Sequence, residues 1–408
     1  MANTKATPTW TCKESLRYFA NSLKGVASFN RSYDGQYVQN GAKVGNTVKA
    51  RLPQQWAIRS GQAFDQQNIL DQTVDIVLNK QRGIDFGFSS AEATHDLDEI
   101  RSRYVQPAAE TLAAEFDAEA MDSVYKDIYN ARGALGTTSA TALLYLQLGV
   151  DLDDGATGRE GRVGVLDPMA VATLSNAQQA LFHPSAAISE NNKTGMFAAN
   201  QLGVSKWFMD QNVPSFTCGV CAAASTPLVN GAGQTGSSLV TDGWGAASAP
   251  VEGDTFTIAG VFSVNPVSKR STGRVQRFVL TATPTAGTGP TFTISPSIIT
   301  SGSLQTVSNS PADNAVITYW AMAAGGTQAA VVSPQSLMFH PDAFAAVMAD
   351  LVQPAGGASG SRISSKQLGI SIRYVQQYQV LSDQNLSRLD ILFGAATLQA
   401  RLAGRMVG

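Results

Sequence analysis

Two thiols two residues apart, Cys218-Gly219-Val220-Cys221, form the most reactive spacing in this sequence. Thioredoxin-like redox chemistry places such a pair at the start of a helix after a strand, where a lowered thiol pKa makes the nucleophile. Here the pair lies in a strand-like stretch rich in Gly, Ser and Thr. A tetrahedral zinc site needs four ligands, and Cys12 is the only other thiol. The pair therefore reads as two free thiols, and so few cysteines suit a reducing compartment. His95, His183 and His340 are widely spaced, and none sits in a metal-binding pair. His183-Pro184 and His340-Pro341 each follow an apolar pair and read as strand ends before helices. Asp151-Leu152-Asp153-Asp154-Gly155 opens like a calcium loop, but the twelfth position, which needs a bidentate Glu, is Arg162. Gly158 to Gly164 lacks the Gly-Lys-Ser/Thr ending of a phosphate cradle. Neither Gly-x-Ser-x-Gly nor His-Glu-x-x-His occurs. The residues thus assign no catalytic, cofactor or metal site, and the chain is not expected to be an enzyme.

The elements that carry these residues are unusual in their reach. Residues 1–40 read as a polar arm with one short helix, Leu16, Phe19, Ala20 and Leu23 standing at helical spacing. Residues 41–90 alternate with a period of two around the polar segment Ser60 to Asp71, and predict a long β-ribbon with a polar tip. Ten residues of strand reach about 33 Å, and a lone two-stranded ribbon is marginal in water. Such a ribbon needs something to lie on. Over residues 93–132, Leu97, Ile100, Tyr104, Ala108, Leu112, Phe116, Ala120, Val124 and Ile128 step by three or four. That stripe predicts a spine helix of roughly 50 Å, kinked at Pro107.

Residues 136–214 mix helix and strand: helix from Ala140, strand Val163 to Leu166, and a helix opened by Pro168. At residue 215 the composition shifts to dense Gly, Ser, Thr and Pro with short strands, which argues an inserted β-barrel or sandwich over 215–330. Residues 331–361 return to α/β, with a helix expected over Asp342 to Leu351. Two β runs around Ser382 to Asn385 close the chain. The expected organisation is an arm (1–40), an extended loop (41–90), a peripheral domain (91–135 and 362–408), an axial domain (136–214 and 331–361) and the inserted β-domain (215–330).

Composition narrows the function. Lys and Arg number 29 against 31 Asp and Glu, for a net charge of −2, and only 15% of residues are charged. Tight DNA binding through phosphates needs more positive charge. No stretch approaches the roughly 18 apolar residues of a membrane span. Met1 to Phe19 carries four charged residues and no apolar block, so no signal peptide is read there.

Several local stretches together resemble the major capsid protein of tailed bacteriophages, the Hong Kong phage 97 fold, in the podovirus coat-protein branch that carries an inserted β-domain. Gly253-Asp254-Thr255-Phe256-Thr257-Ile258-Ala259-Gly260-Val261 with Val264-Asn265-Pro266, and Ser310-Pro311-Ala312-Asp313-Asn314-Ala315, are similar to the signature of that insertion. Leu337 to Ala345 resembles the strand return into the axial domain, Asp75 to Ser90 the ribbon's descending strand, and Arg388 to Gly394 the last strand. The resemblance spans nearly the whole chain and is weakest over residues 1–40 and 175–235.

The resemblance implies an α+β capsid fold with arm, ribbon, spine helix, axial domain and inserted β-domain. It implies a shell subunit in pentamers and hexamers around a double-stranded DNA genome, built in the host bacterial cytoplasm and resident in the virion. Scaffolding protein and portal would assist assembly, DNA would be contacted without sequence preference, and neither cofactor nor membrane is involved. The ribbon would lie across the adjacent subunit. Arg51, Arg59, Asp65, Asp71, Arg82 and Asp85 are its candidates for inter-subunit pairs, and the loop Val229 to Pro250, with Asp242, is the insert's candidate contact. Lys43 and Lys49 are available for a Lys–Asn cross-link, but no motif identifies one, and none is expected. A competing reading is a surface- or carbohydrate-binding protein built on the insert. It would need stacking aromatics among Trp244, Phe256, Phe262, Phe278, Phe292, Tyr319 and Trp320. An enzyme with an unrecognised site would need a pocket of converging, pKa-shifted groups. An encapsulin-type compartment shares the wider fold and is disfavoured by the insertion.

Overall fold

A computed structural model of the chain describes residues 8–31, 45–89 apart from 60, 63, 65, 69 and 70, 104–138, 141–178, 202–222, 225–320, 329–354, 359–365 and 369–407. They form two compact units. The first comprises Met1–Arg51, Thr73–Ser123 and Phe344–Leu398. Its centre is the strand Gln384–Thr397, which pairs antiparallel with Ile370–Gln379, with Lys80–Ser89 and with Phe344–Met348. Ser359–Ser365 extends the sheet beyond Ile370–Gln379. The spine helix is described over Gln106–Val124. It buries Ala108, Leu112, Phe116 and Ala120 of the predicted stripe, with Ala109, Ala113 and Met121 beside them, whereas Tyr104 of that stripe is exposed. Phe116 meets Phe393 edge to face at 4.7 Å between ring centroids, and Phe19 of the N-terminal helix Pro8–Ser22 packs on Phe116 at 5.9 Å. Pro107 stands shortly after Tyr104 and Val105, which are wound as a π-helical stretch, at an irregular start of the described helix. The expected start at residue 93 lies outside the described residues.

Two expectations are corrected in this unit. Among the described residues, the ribbon is a separate two-stranded sheet of Thr47–Arg51 and Thr73–Val77, from Thr47 opposite Val77 to Arg51 opposite Thr73. Lys80–Ser89, read as the same ribbon's continuation, leaves it and runs along Gln384–Thr397, from Lys80 opposite Phe393 to Ser89 opposite Gln384. Alternation announces a strand but not its partner. The helix expected over Asp342 to Leu351 is instead a 3-10 turn, Pro341–Ala343, and the strand Phe344–Met348 with all five residues buried. Phe-Ala-Ala-Val-Met has no polar face for a surface helix to turn to solvent, whereas a strand covered on both sides tolerates a continuous apolar run.

The second unit comprises Leu52–Gln72, Val124–Ala343 and Gln399–Gly408. Its axial sheet runs in the order Ala131–Gly133, Ala403–Val407, Val332–Phe339, Val163–Leu166, Lys206–Met209. Helices Ala142–Asp154 and Pro168–Gln178 supply the core around Tyr145, Leu148, Leu152, Leu174, Trp207 and Met338. The spine's predicted run to residue 132 is cut short here. After the 3-10 turn Tyr125–Asp127, Ala131–Gly133 pairs in parallel with Ala403–Val407, and Asn130 Nδ2 donates to the Ala403 carbonyl at 3.0 Å. The chain's last strand accordingly belongs to the axial sheet.

Within this unit the inserted segment forms a six-stranded sheet, in the order Ile317–Tyr319, Thr255–Val264, Ser271–Leu280, Thr291–Ile298, Gly236–Asp242, Leu228–Val229. Its ends meet. Leu228 bridges Val316, Ile317 N–H donates to Pro227 O at 2.9 Å and Val229 N–H to Ala315 O at 3.0 Å. The sheet therefore closes into a barrel, which removes its open edges. Trp244, Phe256, Phe278, Phe292 and Tyr319 fill it, with Trp244 edge to face against Phe292 and Tyr319. All three cysteines are buried, and none is in a disulfide.

Candidate assembly surfaces

The ribbon divides into a covered base and an exposed tip. Val48, Ala50, Ile76 and Leu78 of the base are buried in the first unit. There the chain crosses the central strand at Gly394, where an added Cβ would stand 2.2 Å from Val77 O. The tip, Leu52–Gln72, groups with the second unit, and Lys269 Nζ donates to Gln55 Oε1 at 3.2 Å. Gln67 braces it, accepting from Ala57 N–H at 3.0 Å and donating back to Ala57 O. Yet its large apolar side chains face water: Trp56 is 53% exposed, Ile58 81% and Phe64 86%. Phe64 thus stands exposed within the segment Ser60 to Asp71 read as polar, and Trp56 and Ile58 stand exposed just before it.

The predicted charged residues fall into different settings. Arg51, Arg59 and Asp71 are exposed around the tip, with Arg59 also donating to Gly61 O. Asp65 lies outside the described residues. Arg82 and Asp85 sit on Lys80–Ser89 and pair inside their own unit. Arg82 donates to Glu119 and lies 3.7 Å from Glu115, both on the spine helix. Asp85 lies 3.7 Å from Arg388 on the central strand. Asp242 is half-buried at the end of Gly236–Asp242, and its Oδ1 is shut from solvent with no hydrogen-bond donor among the described residues. The expected loop after Val229 is a hairpin. Gln234 stitches it through Asn230 O at 2.8 Å and Val240 N–H at 2.7 Å, and Asp313 accepts from Gly231 N–H at 2.8 Å.

The insertion signature serves as a junction. Asp254 accepts from Val251 N–H at 2.8 Å, Gly219 N–H at 3.1 Å and the Tyr319 hydroxyl. Burial pushes its carboxyl above the usual range. Arg405, on the axial strand Ala403–Val407, donates to Gly253 O and lies over the rings of Phe216 and Trp320 at 5.3 and 5.4 Å. Full burial lowers its guanidinium to about 10, with Asp254 the strongest opposing influence. Gly253 is needed where it stands: φ is +95°, and a Cβ would meet the Phe216 ring at 3.0 Å. The sequence reading missed Arg405, since no spacing ties it to the insertion motif.

Among the described residues, no group of His, Cys, Asp and Glu could hold a metal ion, and no helix is long and apolar enough to cross a membrane.

Against known proteins, residues 29–408 match the model of the family described as "P22 coat protein - gene protein 5". No curated relative matches the chain. Similar solved structures include one of Mycobacterium phage Che8, 13% identical, covering 95% of this chain and 90% of its own, at a TM-score of 0.45. Another is the mature capsid of bacteriophage PhiM1, 10% identical, covering 90% and 82%, at a TM-score of 0.41. A third is the CUS-3 coat protein I-domain, 28% identical, covering 24% of this chain and 97% of its own, at a TM-score of 0.19.

Proposed function

We propose, for a chain that belongs to the P22 coat protein family and is a major capsid protein self-assembling into a phage shell, that each copy holds the next by laying its ribbon tip on it. The shell is icosahedral, made of pentamers and hexamers, and encloses double-stranded DNA that it touches without sequence preference. Scaffolding protein and portal assist its assembly in the host cytoplasm. The role is structural.

The observation that carries the ribbon's part is its division into buried base and exposed apolar tip. Trp56, Ile58 and Phe64 are exposed, whereas Val48, Ala50, Ile76 and Leu78 of the ribbon strands are buried. Covering each such side chain is worth about 1.5–3 kcal/mol. A head-to-tail contact of this kind closes rings, and many copies make modest contacts sufficient. Arg51, Arg59 and Asp71 flank the tip as candidates for charge pairing with the neighbour. The carbohydrate-binding alternative loses support, because Trp244, Phe256, Phe278, Phe292 and Tyr319, five of the seven aromatics it would use, are buried in the barrel.

Deleting residues 60–71 tests the reading. Expected is a soluble, folded chain that gives few shells by electron microscopy when mixed with its scaffold. Shells in normal number from that deletion would overturn it.

A further inference from the structure

The second unit contains a cleft of about 700 Å³ whose lining includes four arginines, Arg132, Arg274, Arg277 and Arg401, but two aspartates, Asp151 and Asp154. The aspartates are already engaged. Arg132 grips Asp151 bidentately at 2.6 and 2.7 Å, and Arg274 donates to Asp154. Arg277 comes no nearer than 3.8 Å to the shared Asp151, and its guanidinium makes no hydrogen bond among the described residues, although its side chain is only 22% exposed. Arg401 has no carboxylate partner among the described residues. It donates to Gln399 Oε1 at 2.8 and 3.1 Å and to Gly155 O at 3.4 Å.

These cations also crowd one another. Burial, and then Arg132, hold Arg277 below its ordinary value; burial alone does so for Arg401. Burial, then Arg401, lower Lys269, which reaches the same region through Gln55. A recessed guanidinium with no hydrogen bond among the described residues, in a cleft whose other arginines are already engaged, is the arrangement that an oxyanion completes.

We propose that this cleft binds a phosphate-class oxyanion, with Arg277 as its principal donor. The surplus of two positive charges over the engaged aspartates matches a dianion better than a single carboxylate. The recess suits a compact group rather than a long stretch of polymer. Arg132 and Arg274, tied to Asp151 and Asp154, shape the site without being its principal donors.

The test is titration of inorganic phosphate into the full chain at constant ionic strength, read by calorimetry and by the melting temperature, with chloride as the control. Expected is saturable binding and a rise in melting temperature with phosphate alone. Arg277→Met weakens binding about tenfold or more, and Arg277→Lys, which keeps charge but loses the fork, falls between. A short DNA duplex is then added as competitor. Displacement of phosphate assigns the site to a nucleic-acid phosphate, and its absence assigns a free one; both keep the site. No saturable binding to the wild-type chain up to about 20 mM phosphate, or unchanged affinity in a folded Arg277→Met or Arg277→Lys chain, overturns the proposal. Gln55 and Gln72 of the ribbon segment also line the cleft, so the titration uses the unassembled chain; its failure overturns this site, whereas normal shells from the 60–71 deletion overturn the ribbon's role.

Discussion

The carbonyl oxygen of Val77 occupies the space beside Gly394, so that a Cβ there would stand 2.2 Å from it and 2.9 Å from its carbon. The ribbon's return strand thus passes over the central strand at the one residue without a side chain, and this close pass lets Ile76 and Leu78 be buried. Gly394→Ala must push the two backbones apart. The expected cost is about 1–3 kcal/mol, read as a lower urea midpoint. An unchanged midpoint would mean that the ribbon base is not seated there.

Asp117 ties the N-terminal segment to the spine helix, accepting from Lys24 N–H at 2.8 Å and Val26 N–H at 3.0 Å while itself buried. Asp117→Ala strands one buried donor, Val26 N–H, at about 1–3 kcal/mol when unsatisfied, and one partly buried donor, Lys24 N–H, which costs less. Asp117→Asn keeps one acceptor and should recover part of the loss. Urea denaturation of both variants checks the order; equal stabilities would contradict it.

Arg82 already has Glu119 and Glu115 within its unit, and its side chain is 44% exposed. Arg82→Gln should therefore cost less than about 1 kcal/mol and leave shells sedimenting normally. Loss of shells with stability retained would show that Arg82 acts between copies instead.

Asp254 gives the second unit a pH dependence opposite to that of most carboxylates. Its folded value is raised by burial, so the folded chain keeps a proton that the unfolded chain releases from about pH 3.9 upward. Its contribution is fully present below that pH and is lost as pH rises through the raised value. Tyr319 and Arg405 face it, and Arg405 stays charged throughout that range. The wild-type advantage over Asp254→Asn should shrink with rising pH in urea denaturation. An advantage that is flat or grows would contradict the assignment.

What the sequence made legible follows from locality. The spine's stripe from Ala108 to Ala120, the Pro168 helix start and the barrel strands around Phe256, Phe278, Phe292 and Ile317 are local patterns, whereas the strands Leu228–Val229 and Gly236–Asp242 fall at or within a stretch that reads as a loop. The partner of Lys80–Ser89 was not legible, because a period of two is the same for a free ribbon and for a strand lying on Gln384–Thr397. Phe344–Met348 was read as a helix because a short apolar run has no periodicity to arbitrate. The tip's Trp56, Ile58 and Phe64 were visible as letters, but their exposure was not. Arg132, Arg277 and Arg401 converge only after the insert and the final strand return to the axial sheet, so no spacing announces their cleft.

The central claim is that the ribbon tip is covered by a neighbouring copy in the shell. Hydroxyl-radical footprinting of free subunits and assembled shells tests it most directly. The account predicts that Trp56, Ile58 and Phe64 label readily in the free chain and are strongly protected in shells. Buried ribbon-base residues such as Ile76 should stay protected in both. Equal labelling of Trp56, Ile58 and Phe64 in both states would contradict it.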